Sequence, residues 1–308
     1  MRVIIVGLGG QGRKRLAVAG GDVAATVDPA IPDATYSAIE QVPLSEFDAA
    51  LVCTPDQTKL ELLRYLLSHR KHVLVEKPLI TSDESQLEGL RTMAREAGVA
   101  CYTAYNHRFE PQLARLKTLV EQGALGTIYV VKGMYGNGTA RNVRQSPWRD
   151  EGLGVLSDLG SHLLDLARFL FGASLGKFGL FSGHCFENCA FDHVLFGTRS
   201  SPLMMFEASL VSWRNTFRFE IIGERGSAHV DSLCKWGPSR LTIRRRVLPS
   251  GVPNEETQTA HGPDPTWTLE YEHFKRLCLR GDTNLDNDVW IARTLQELAQ
   301  GIGEAVSF

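Results

Sequence analysis

The sequence predicts a two-part protein, with a doubly wound parallel α/β sheet followed by an α+β region built on a large antiparallel sheet. Up to about residue 106, short apolar strands alternate with helical stretches, which is typical of parallel sheets. Beyond it, several segments alternate apolar and polar residues, as antiparallel strands with one covered face do. The length of 308 residues suits two domains better than one core. We expect domains at 1–121 and 122–308, with the last helix able to pack back on the first.

The first part is expected to contain five strands joined by helices. The strands are predicted at 2–6, 23–27, 48–53, 72–75 and 99–104, and the helices near 12–19, 58–69 and 83–97. Gly98 would close the third helix. The stretch from Pro29 to Pro43 carries three prolines, so any helix there should be stunted.

The second part is expected to consist of strands interrupted by one clear helix. A helix at 109–121 leads into strands at 127–133, 180–185, 193–197, 203–213, 217–223, 227–232 and 241–247. The interrupting helix spans about 155–171, and two more helices close the chain near 265–280 and 286–304. The loop at 249–265 is rich in Pro, Gly and Asn, and we expect it to be the most mobile region.

A glycine turn follows the first predicted strand directly. Gly7, Gly9 and Gly12 have the G-x-G-x-x-G spacing, with Leu8, Gly10 and Gln11 between them. Between a strand and a helix, these glycines permit a tight turn, close approach of a pyrophosphate, and close helix packing. The second strand ends at Asp28, about 20 residues further on, where an acceptor for the ribose hydroxyls is expected. The sequence therefore predicts a dinucleotide site, against the alternative of a turn that serves chain geometry only.

Composition excludes several other classes of function. The net charge of −2 predicts no nucleic-acid or anionic-membrane partner. We expect no membrane span, because no run of about 18 apolar residues occurs, and no signal peptide, because a buried strand begins at residue 2. The six cysteines are scattered, and Cys185 and Cys189 lack a second ligand pair, so we predict reduced thiols, no metal and a cytoplasmic location.

A charged pair ends the fourth predicted strand. Glu76, Lys77 and Pro78 lie at the carboxyl end of a parallel strand, where doubly wound sheets bind ligands. Pro78 restricts Lys77 to an extended conformation, which fixes the direction of its ammonium group for acid–base or electrostatic work. A surface Glu–Lys pair before an ordinary turn is an equally good interpretation of position alone.

Acidic residues and a histidine recur at helical spacing in the second part. Asp158, His162 and Asp165 stand at i, i+4 and i+7, so a regular helix would place them on one face. A carboxylate beside an imidazole orients it and raises its basicity, as a proton acceptor requires. The spacing leaves catalysis and a helix-face salt bridge open, while a metal site lacks further ligands.

Two further clusters mix aromatic and polar residues. Tyr105-Asn106-His107-Arg108 follows the fifth predicted strand, and Ser146-Pro147-Trp148-Arg149 precedes the helix with His162. Both suit contacts with a nicotinamide ring or a sugar. Each could equally be a buried aromatic residue with a capping arginine beside it.

Taken together, these residues resemble the glucose–fructose oxidoreductase / inositol dehydrogenase (Gfo/Idh/MocA) family. The matching features are the glycine turn, Asp28, Cys53-Thr54-Pro55, Glu76-Lys77-Pro78, Tyr105-Asn106-His107-Arg108, and Asp158 with Gly160, His162 and Asp165 in register. The segment 219–227 is similar to a later strand and turn of the family. The resemblance covers essentially the whole chain.

The resemblance implies an N-terminal Rossmann domain that binds NAD(P) and a C-terminal domain with an open-faced antiparallel sheet. It implies that Lys77 orients the reacting hydroxyl, before a cis peptide at Pro78, and that His162 is the acid/base with Asp158 as its acidic partner. Asn106, Trp148 and Arg149 would lie near the nicotinamide or the substrate. The cofactor contacts would come from 7–12, Asp28, Cys53, Thr54, Pro55, Glu76, Lys77 and Asn106.

Two positions depart from the family pattern. Lys59 stands where many relatives have a histidine after the Thr-Pro turn, and Arg15 stands where a histidine often follows the glycine loop. Neither change removes a catalytic group, although the basic run from Arg13 to Arg15 weakens the choice between cofactors. Because the carboxylate of Asp28 would repel a 2′-phosphate, NAD is favoured over NADP.

The leading hypothesis is an oxidoreductase that transfers a hydride between NAD(P) and a hydroxyl or carbonyl of a sugar, sugar derivative, nucleotide sugar or cyclitol. The alternatives are an NAD-dependent glycoside hydrolase of the same family and a non-enzymatic NAD- or sugar-binding protein. We also expect a homodimer or homotetramer formed through the C-terminal sheet, with Phe206, Phe217 and Phe219 as candidates for the buried contacts.

Overall fold

The computed structural model describes residues 1–301, which form two units. The first unit comprises Met1–Asn106 and Thr266–Arg293, and the second comprises His107–Pro265 and, among the described residues, 294–301. Residues 302–304 of the helix predicted at 286–304, and the end of the predicted second domain, lie outside the described residues.

The elements of the chain are numbered in order. Up to residue 106 they are β1 Val3–Val6, α1 Gly10–Ala19, β2 Val23–Val27, β3 Ala49–Val52, α2 Asp56–Ser68, β4 His72–Glu76, α3 Glu84–Ala97 and β5 Cys101–Ala104. From 107 to 265 they are α4 Pro111–Glu121, β6 Ile128–Gly136, α5 Ala140–Arg144, α6 Ser161–Phe171, β7 Phe178–His184, β8 His193–Thr198, β9 Leu203–Ser209, β10 Thr216–Gly223, β11 Gly226–Asp231, β12 Ser239–Arg245 and β13 Asn254–Ala260. The chain closes with α7 Thr266–Cys278 and α8 Leu285–Gln300.

The first unit is built on a parallel sheet of five strands in the order β2-β1-β3-β4-β5. Leu63 of α2, Leu87 of α3 and Val289 of α8 belong to the core on one face. Tyr271 and Phe274 of α7 belong to the core on the other face. Because both faces are covered, the strands are apolar along their length, and the predicted doubly wound class is confirmed. Between β2 and β3 the described chain forms short 3₁₀ turns rather than an α-helix, as its prolines predict.

The division between the units falls before α4, whereas the sequence predicts it after this helix, at residue 121. Leu113 and Leu116 of α4 are fully buried, and the helix packs on α6, β11 and β12 of the second unit. Gly123 follows the end of α4, but the chain on both sides of it belongs to the second unit, so this glycine does not separate the units. The helix α7 and the first part of α8 return to the first unit, because their apolar faces belong to its two cores.

The second unit is built on an eight-stranded sheet in the order β13-β12-β11-β10-β6-β9-β8-β7. Its neighbouring strands are antiparallel except for β6 and β9, which are parallel. The edge strand β13 lies in the segment 249–265 that was predicted to be a mobile loop, and that prediction is wrong for 254–260. Its side chains are polar and mostly exposed, so the strand has no apolar alternation that sequence reasoning could detect.

The helix predicted at 155–171 is not regular throughout. Leu156–Gly160 form a π-helical turn, and the α-helix α6 begins at Ser161. A π turn adds a residue to the helical repeat, so the i, i+4 relation assumed for Asp158 and His162 does not describe this segment. Such turns occur frequently at functional sites.

The phenylalanines predicted to form subunit contacts lie in the core of the second unit. Phe206, Phe217 and Phe219 are at most 2% exposed. A Cβ added to Gly133 would approach the ring of Phe206 to 2.9 Å and Leu163 of α6 to 3.2 Å, so α6 covers this face of the sheet. The prediction that these rings form an oligomer interface is therefore wrong, because they lie on the face of the sheet that α6 covers.

The opposite face of the same sheet carries exposed apolar side chains. Leu195, Leu203 and Met205 are 37%, 38% and 41% exposed, and each alternates with buried residues along its strand. Within residues 1–301, no helix is both long and apolar enough to cross a membrane.

Because α1 lies close to the turn after β1, we expect alanine substitutions at Gly12 and Gly10 to affect the stability of the protein very differently. A Cβ on Gly12 would lie 1.8 Å from the carbonyl oxygen of Gly7, whereas one on Gly10 would meet nothing within 4 Å. We expect Gly12→Ala to lower the free energy of unfolding by about 1–3 kcal/mol, the usual cost of overpacking. Gly10→Ala should leave it unchanged or raise it slightly, because alanine favours a helix. Urea unfolding of both variants measures this, and equal midpoints would contradict it.

Candidate functional site

The glycine turn at the end of β1 has an open side and a closed side. Gly7 has φ +91°, and a Cβ there would lie 2.8 Å from the carbonyl oxygen of Cys53, so the closed side admits only glycine. A Cβ on Gly9 would meet nothing within 4 Å, so the backbone there borders open space. The helix α1 begins at Gly10, directly after this turn. An open turn at a helix N-terminus fits a phosphate group, which backbone N–H groups and the helix dipole attract.

Asp28 at the end of β2 is fixed beside this turn. Its Oδ2 accepts a hydrogen bond from the backbone N–H of Leu8 at 2.7 Å, and its Oδ1 accepts one from Ala30 at 2.8 Å. Burial alone raises the pKa of Asp28, but hydrogen bonds from the backbone N–H groups of Leu8, Ala30 and Ile31 lower it below its ordinary value. The carboxylate is therefore charged at neutral pH and able to accept further hydrogen bonds.

The segment Cys53-Thr54-Pro55 lies against the closed side of the glycine turn. The N–H of Cys53 donates to the carbonyl of Val6 at 2.7 Å, and the Thr54 methyl lies 3.2 Å from the position of a Gly7 Cβ. Because β1 and β3 are neighbours from which the chain continues in opposite directions across the sheet, this is the point where such sheets bind ligands. Burial raises the pKa of the Cys53 thiol well above its usual range, so the thiol stays protonated.

Glu76-Lys77-Pro78 end β4 at the same edge of the sheet, and the Lys77–Pro78 peptide is cis, as the resemblance implied. Lys59, which departs from the family pattern, supports this turn. Its ammonium group is buried, donates to the carbonyl oxygen of Pro78 at 2.8 Å and pairs with Asp56 at 2.7 Å. Burial lowers the pKa of Lys59, while Asp56 opposes that change. Lys59 therefore fastens the turn after Lys77 to α2.

The departure at Arg15 is explained by a buried ion network that sequence reasoning missed. The Arg15 guanidinium is 1% exposed, bonds Glu76 at 2.6 Å and Glu270 of α7 at 2.7 Å, and stacks 4.4 Å from the Trp267 ring. Burial and the charge of Glu76 raise the pKa of Glu270 to about 7, although Arg15 and the Tyr102 hydroxyl act in the other direction. Arg15 is therefore engaged inside the protein, where it joins α1 to the end of β4 and to α7.

Asn106 is the last of the predicted residues in the first unit. Its side-chain amide donates to the Thr266 hydroxyl at the start of α7, at 3.0 Å. The preceding residue, Tyr105, is fully buried. The first unit thus brings the glycine turn, Asp28, the Thr-Pro turn, the Glu-Lys-Pro turn and Asn106 to the carboxyl edge of one sheet.

His162 lies in the second unit, one residue after the start of α6. It is 5% exposed, and its ring stacks on that of His107 with centroids 4.0 Å apart and planes 18° apart. The ring of Tyr135 on β6 lies 5.6 Å from His162 and 5.2 Å from His107. An imidazole partner for His162 was not predicted, because helical spacing carries no information about the segment that contains His107.

The acidic residues around His162 have basic partners. Asp158 is partly exposed and lies 3.9 Å from Arg149, while Asp165 is buried and accepts a two-pronged hydrogen bond from Arg108. Trp148 is 53% exposed, so its ring is available for contact. The second unit therefore collects Asp158, Arg149 and His162 on neighbouring segments. Within residues 1–301, no group of three or more His, Cys, Asp or Glu side chains is arranged to hold a metal ion.

Comparisons with known proteins identify both halves of the chain. Residues 1–105 match the model of an oxidoreductase family with an NAD-binding Rossmann fold, and residues 113–229 match the GFO/IDH/MocA C-terminal domain.

Two curated relatives are similar over much of the chain. Inositol 2-dehydrogenase 2 of Mycolicibacterium vanbaalenii is 30% identical over 60% of this chain, which spans about half (54%) of that relative. The scyllo-inositol 2-dehydrogenase (NAD(+)) of Bacillus subtilis is 25% identical over 79% of this chain and 70% of the relative.

A solved structure has the same fold along nearly the whole chain. The inositol dehydrogenase homolog of Azotobacter vinelandii, complexed with NADH and myo-inositol, superimposes with a TM-score of 0.81 over 99% of this chain and 96% of that one, at 17% identity. The resemblance inferred from the sequence is confirmed, and the chain belongs to the Gfo/Idh/MocA family.

Proposed function

We propose that this protein is an NAD-dependent dehydrogenase that transfers a hydride between the nicotinamide and a CH–OH carbon of a sugar, sugar derivative, nucleotide sugar or cyclitol. The observation that carries the proposal is the open glycine turn with the charged carboxylate of Asp28 fixed 2.7 Å from the N–H of Leu8. That pair fits the pyrophosphate and ribose of a dinucleotide. Relatives named as inositol dehydrogenases support the substrate class.

The residues of this chain would divide the work between binding and proton transfer. NAD, when bound, supplies the hydride acceptor. Lys77 would orient the reacting hydroxyl electrostatically, held by the fixed turn at Pro78 and by Lys59 behind it. His162 would accept the hydroxyl proton, with Asp158 in its surroundings.

The remaining predicted residues would bind the substrate and the nicotinamide. Asn106 carries an amide held by Thr266, Trp148 offers an exposed ring, and Arg149 pairs with Asp158. Glu76 is the last residue of β4 and would contribute to the cofactor site, where Arg15 holds it in place.

We further propose that the subunits assemble through the open face of the second unit's sheet. The exposed side chains of Leu195, Leu203 and Met205 support this choice of face, because an apolar sheet face needs cover. Assembly as a homodimer or homotetramer and a cytoplasmic location stay predictions.

Asp28 predicts the choice of cofactor. A charged carboxylate accepts from ribose hydroxyls and repels a 2′-phosphate, so wild-type protein should bind NAD more tightly than NADP. Asp28→Ala should weaken NAD binding by about 1–3 kcal/mol, the scale of a lost charged hydrogen bond, and leave NADP binding unchanged or stronger. Fluorescence titration with both cofactors measures this, with Asp33→Ala, an exposed carboxylate of the following loop, as the control. Tighter binding of NADP to wild-type protein would make the assignment wrong.

The proposed catalytic roles predict the outcome of two substitutions. On the substrate found in a panel of sugars and cyclitols with NAD, His162→Ala should lower turnover about 10²–10⁴-fold, because a general base is lost. Lys77→Ala should lower it at least as much, because a charge and a positioning contact are lost together. Release of NADH measures turnover, and NAD affinity should stay near that of wild type.

The control for these substitutions is His184→Ala, which removes an exposed imidazole from β7. Near-normal turnover in the His162 or Lys77 variant would require the roles to be abandoned. Loss of NAD binding in the His162 variant would instead indicate a structural histidine.

A further inference from the structure

Two carboxyl groups share one guanidinium in the interior of the first unit. Nε of Arg15 donates to Oε1 of Glu76 at 2.6 Å, and Nη2 of Arg15 donates to Oε2 of Glu270 at 2.7 Å. The Tyr102 hydroxyl of β5 donates to the other oxygen of Glu270 at 3.3 Å. When both carboxyl groups are ionised, these groups carry one net negative charge, which is unfavourable in a buried place. A single proton on either carboxyl group removes that charge.

Glu270 is the carboxyl group that holds this proton more readily. Its side chain is 0% exposed, whereas that of Glu76 is 13% exposed, so ionisation of Glu270 loses more solvation. Burial and the charge of Glu76 raise the pKa of Glu270 to about 7, although Arg15 opposes that change. At neutral pH, a change of charge beside this network therefore decides whether the proton stays.

Other ionisable side chains lie around the same network. They are Lys14 of α1, Cys53 after β3, Lys59 of α2, Lys77 after β4 and His273 of α7. Burial and the charge of Glu76 raise the pKa of the Cys53 thiol well above its usual range, so it stays protonated. Histidine side chains commonly change charge near neutral pH, so His273 is the group that an experiment must distinguish from Glu270.

The network reaches the proposed cofactor edge through Glu76. Glu76 is the last residue of β4, and Lys77 follows it directly. Hydride transfer from a carbon whose hydroxyl is oriented by Lys77 would bring the nicotinamide ring to this turn. The ring of oxidised NAD carries a positive charge, whereas the ring of NADH is neutral. A positive charge beside the network favours ionised carboxylates, so oxidised NAD opposes protonation of Glu270 and NADH does not.

We propose that Glu270, acting through Arg15 and Glu76, determines how strongly the site prefers oxidised NAD to NADH, by releasing a proton when oxidised NAD binds and keeping it when NADH binds. The inference rests on the proposed function, because it takes NAD as the cofactor of this edge. Release of a proton on binding means that the affinity for oxidised NAD increases as the pH rises. The affinity for NADH does not change through this group.

Calorimetric titration of the whole protein with oxidised NAD and with NADH tests the inference. Binding at pH 6.5 in two buffers of different ionisation enthalpy gives the number of protons released. If oxidised NAD lowers the pKa of Glu270 by about one unit, it should release about half a proton more than NADH. The ratio of the affinity for oxidised NAD to that for NADH should then rise about fivefold between pH 6 and pH 8.

Glu270→Gln should abolish both effects. Glutamine has the shape of glutamic acid and offers Arg15 a carbonyl oxygen, but it has no proton to release near neutral pH. The affinity ratio of this variant should therefore stay near the wild-type value at low pH. The matched control is Glu272→Gln, which removes an exposed carboxylate two residues further along α7 and should behave as wild type. Thermal unfolding and NADH binding show whether the variants are folded.

Equal proton release with oxidised NAD and NADH in the wild-type protein would overturn the inference, whether or not the variant folds. A difference that persists in Glu270→Gln would also overturn it and would assign the proton to another group, such as His273. If the wild-type protein binds neither form of NAD, the proposed function fails together with this inference. If it binds both forms without a difference in protons, this inference fails alone.

Discussion

The buried guanidinium of Arg15 is the contact on which the order of the first unit's functional edge depends. It joins three elements that are remote in sequence: α1 after the glycine turn, the end of β4 at Glu76, and α7 at Glu270. Removing one partner of a buried ion pair costs roughly 3–5 kcal/mol, because it leaves a charge without compensation in a medium of low polarity. The backbone that carries Lys77 is thereby tied to the backbone that would meet the pyrophosphate. Lys59 secures the other side of the same turn through the carbonyl of Pro78.

Buried carboxylates perform the corresponding work in the second unit. Glu110, which is buried, accepts a hydrogen bond from the N–H of Cys234 and donates its own N–H to the carbonyl of His107, while Asp165 accepts a two-pronged hydrogen bond from Arg108. Both contacts start from the short stretch between β5 and α4, so this stretch organises the surroundings of His162. The π-helical turn just before α6 interrupts the regular helix at this point, and such turns are frequent at functional sites.

The parts of the fold that sequence reasoning could predict are those encoded over short distances. The strand, glycine turn and helix, and the positions of Asp28 and Lys77 at the carboxyl ends of β2 and β4, each follow from a few neighbouring residues and from the rule that parallel strands end at one edge. Arg15 and Glu270 are 255 residues apart in sequence, so no local sequence pattern predicts their contact. The strand β13 is polar on both faces, so it has no periodic signal. The imidazole partner of His162 was missed because His107 comes from another segment, about which helical spacing carries no information.

The proposed function requires that a hydride move directly from a carbon of the substrate to the nicotinamide. The most direct measurement uses the sugar or cyclitol that the protein oxidises, with deuterium at the reacting carbon and unlabelled NAD, followed by mass spectrometry of the reduced cofactor. The account predicts that the deuterium is recovered on the reduced nicotinamide and that turnover slows with the label when chemistry limits the rate. Unlabelled NADH formed from labelled substrate, or no reduction of NAD by any member of the panel, would contradict it.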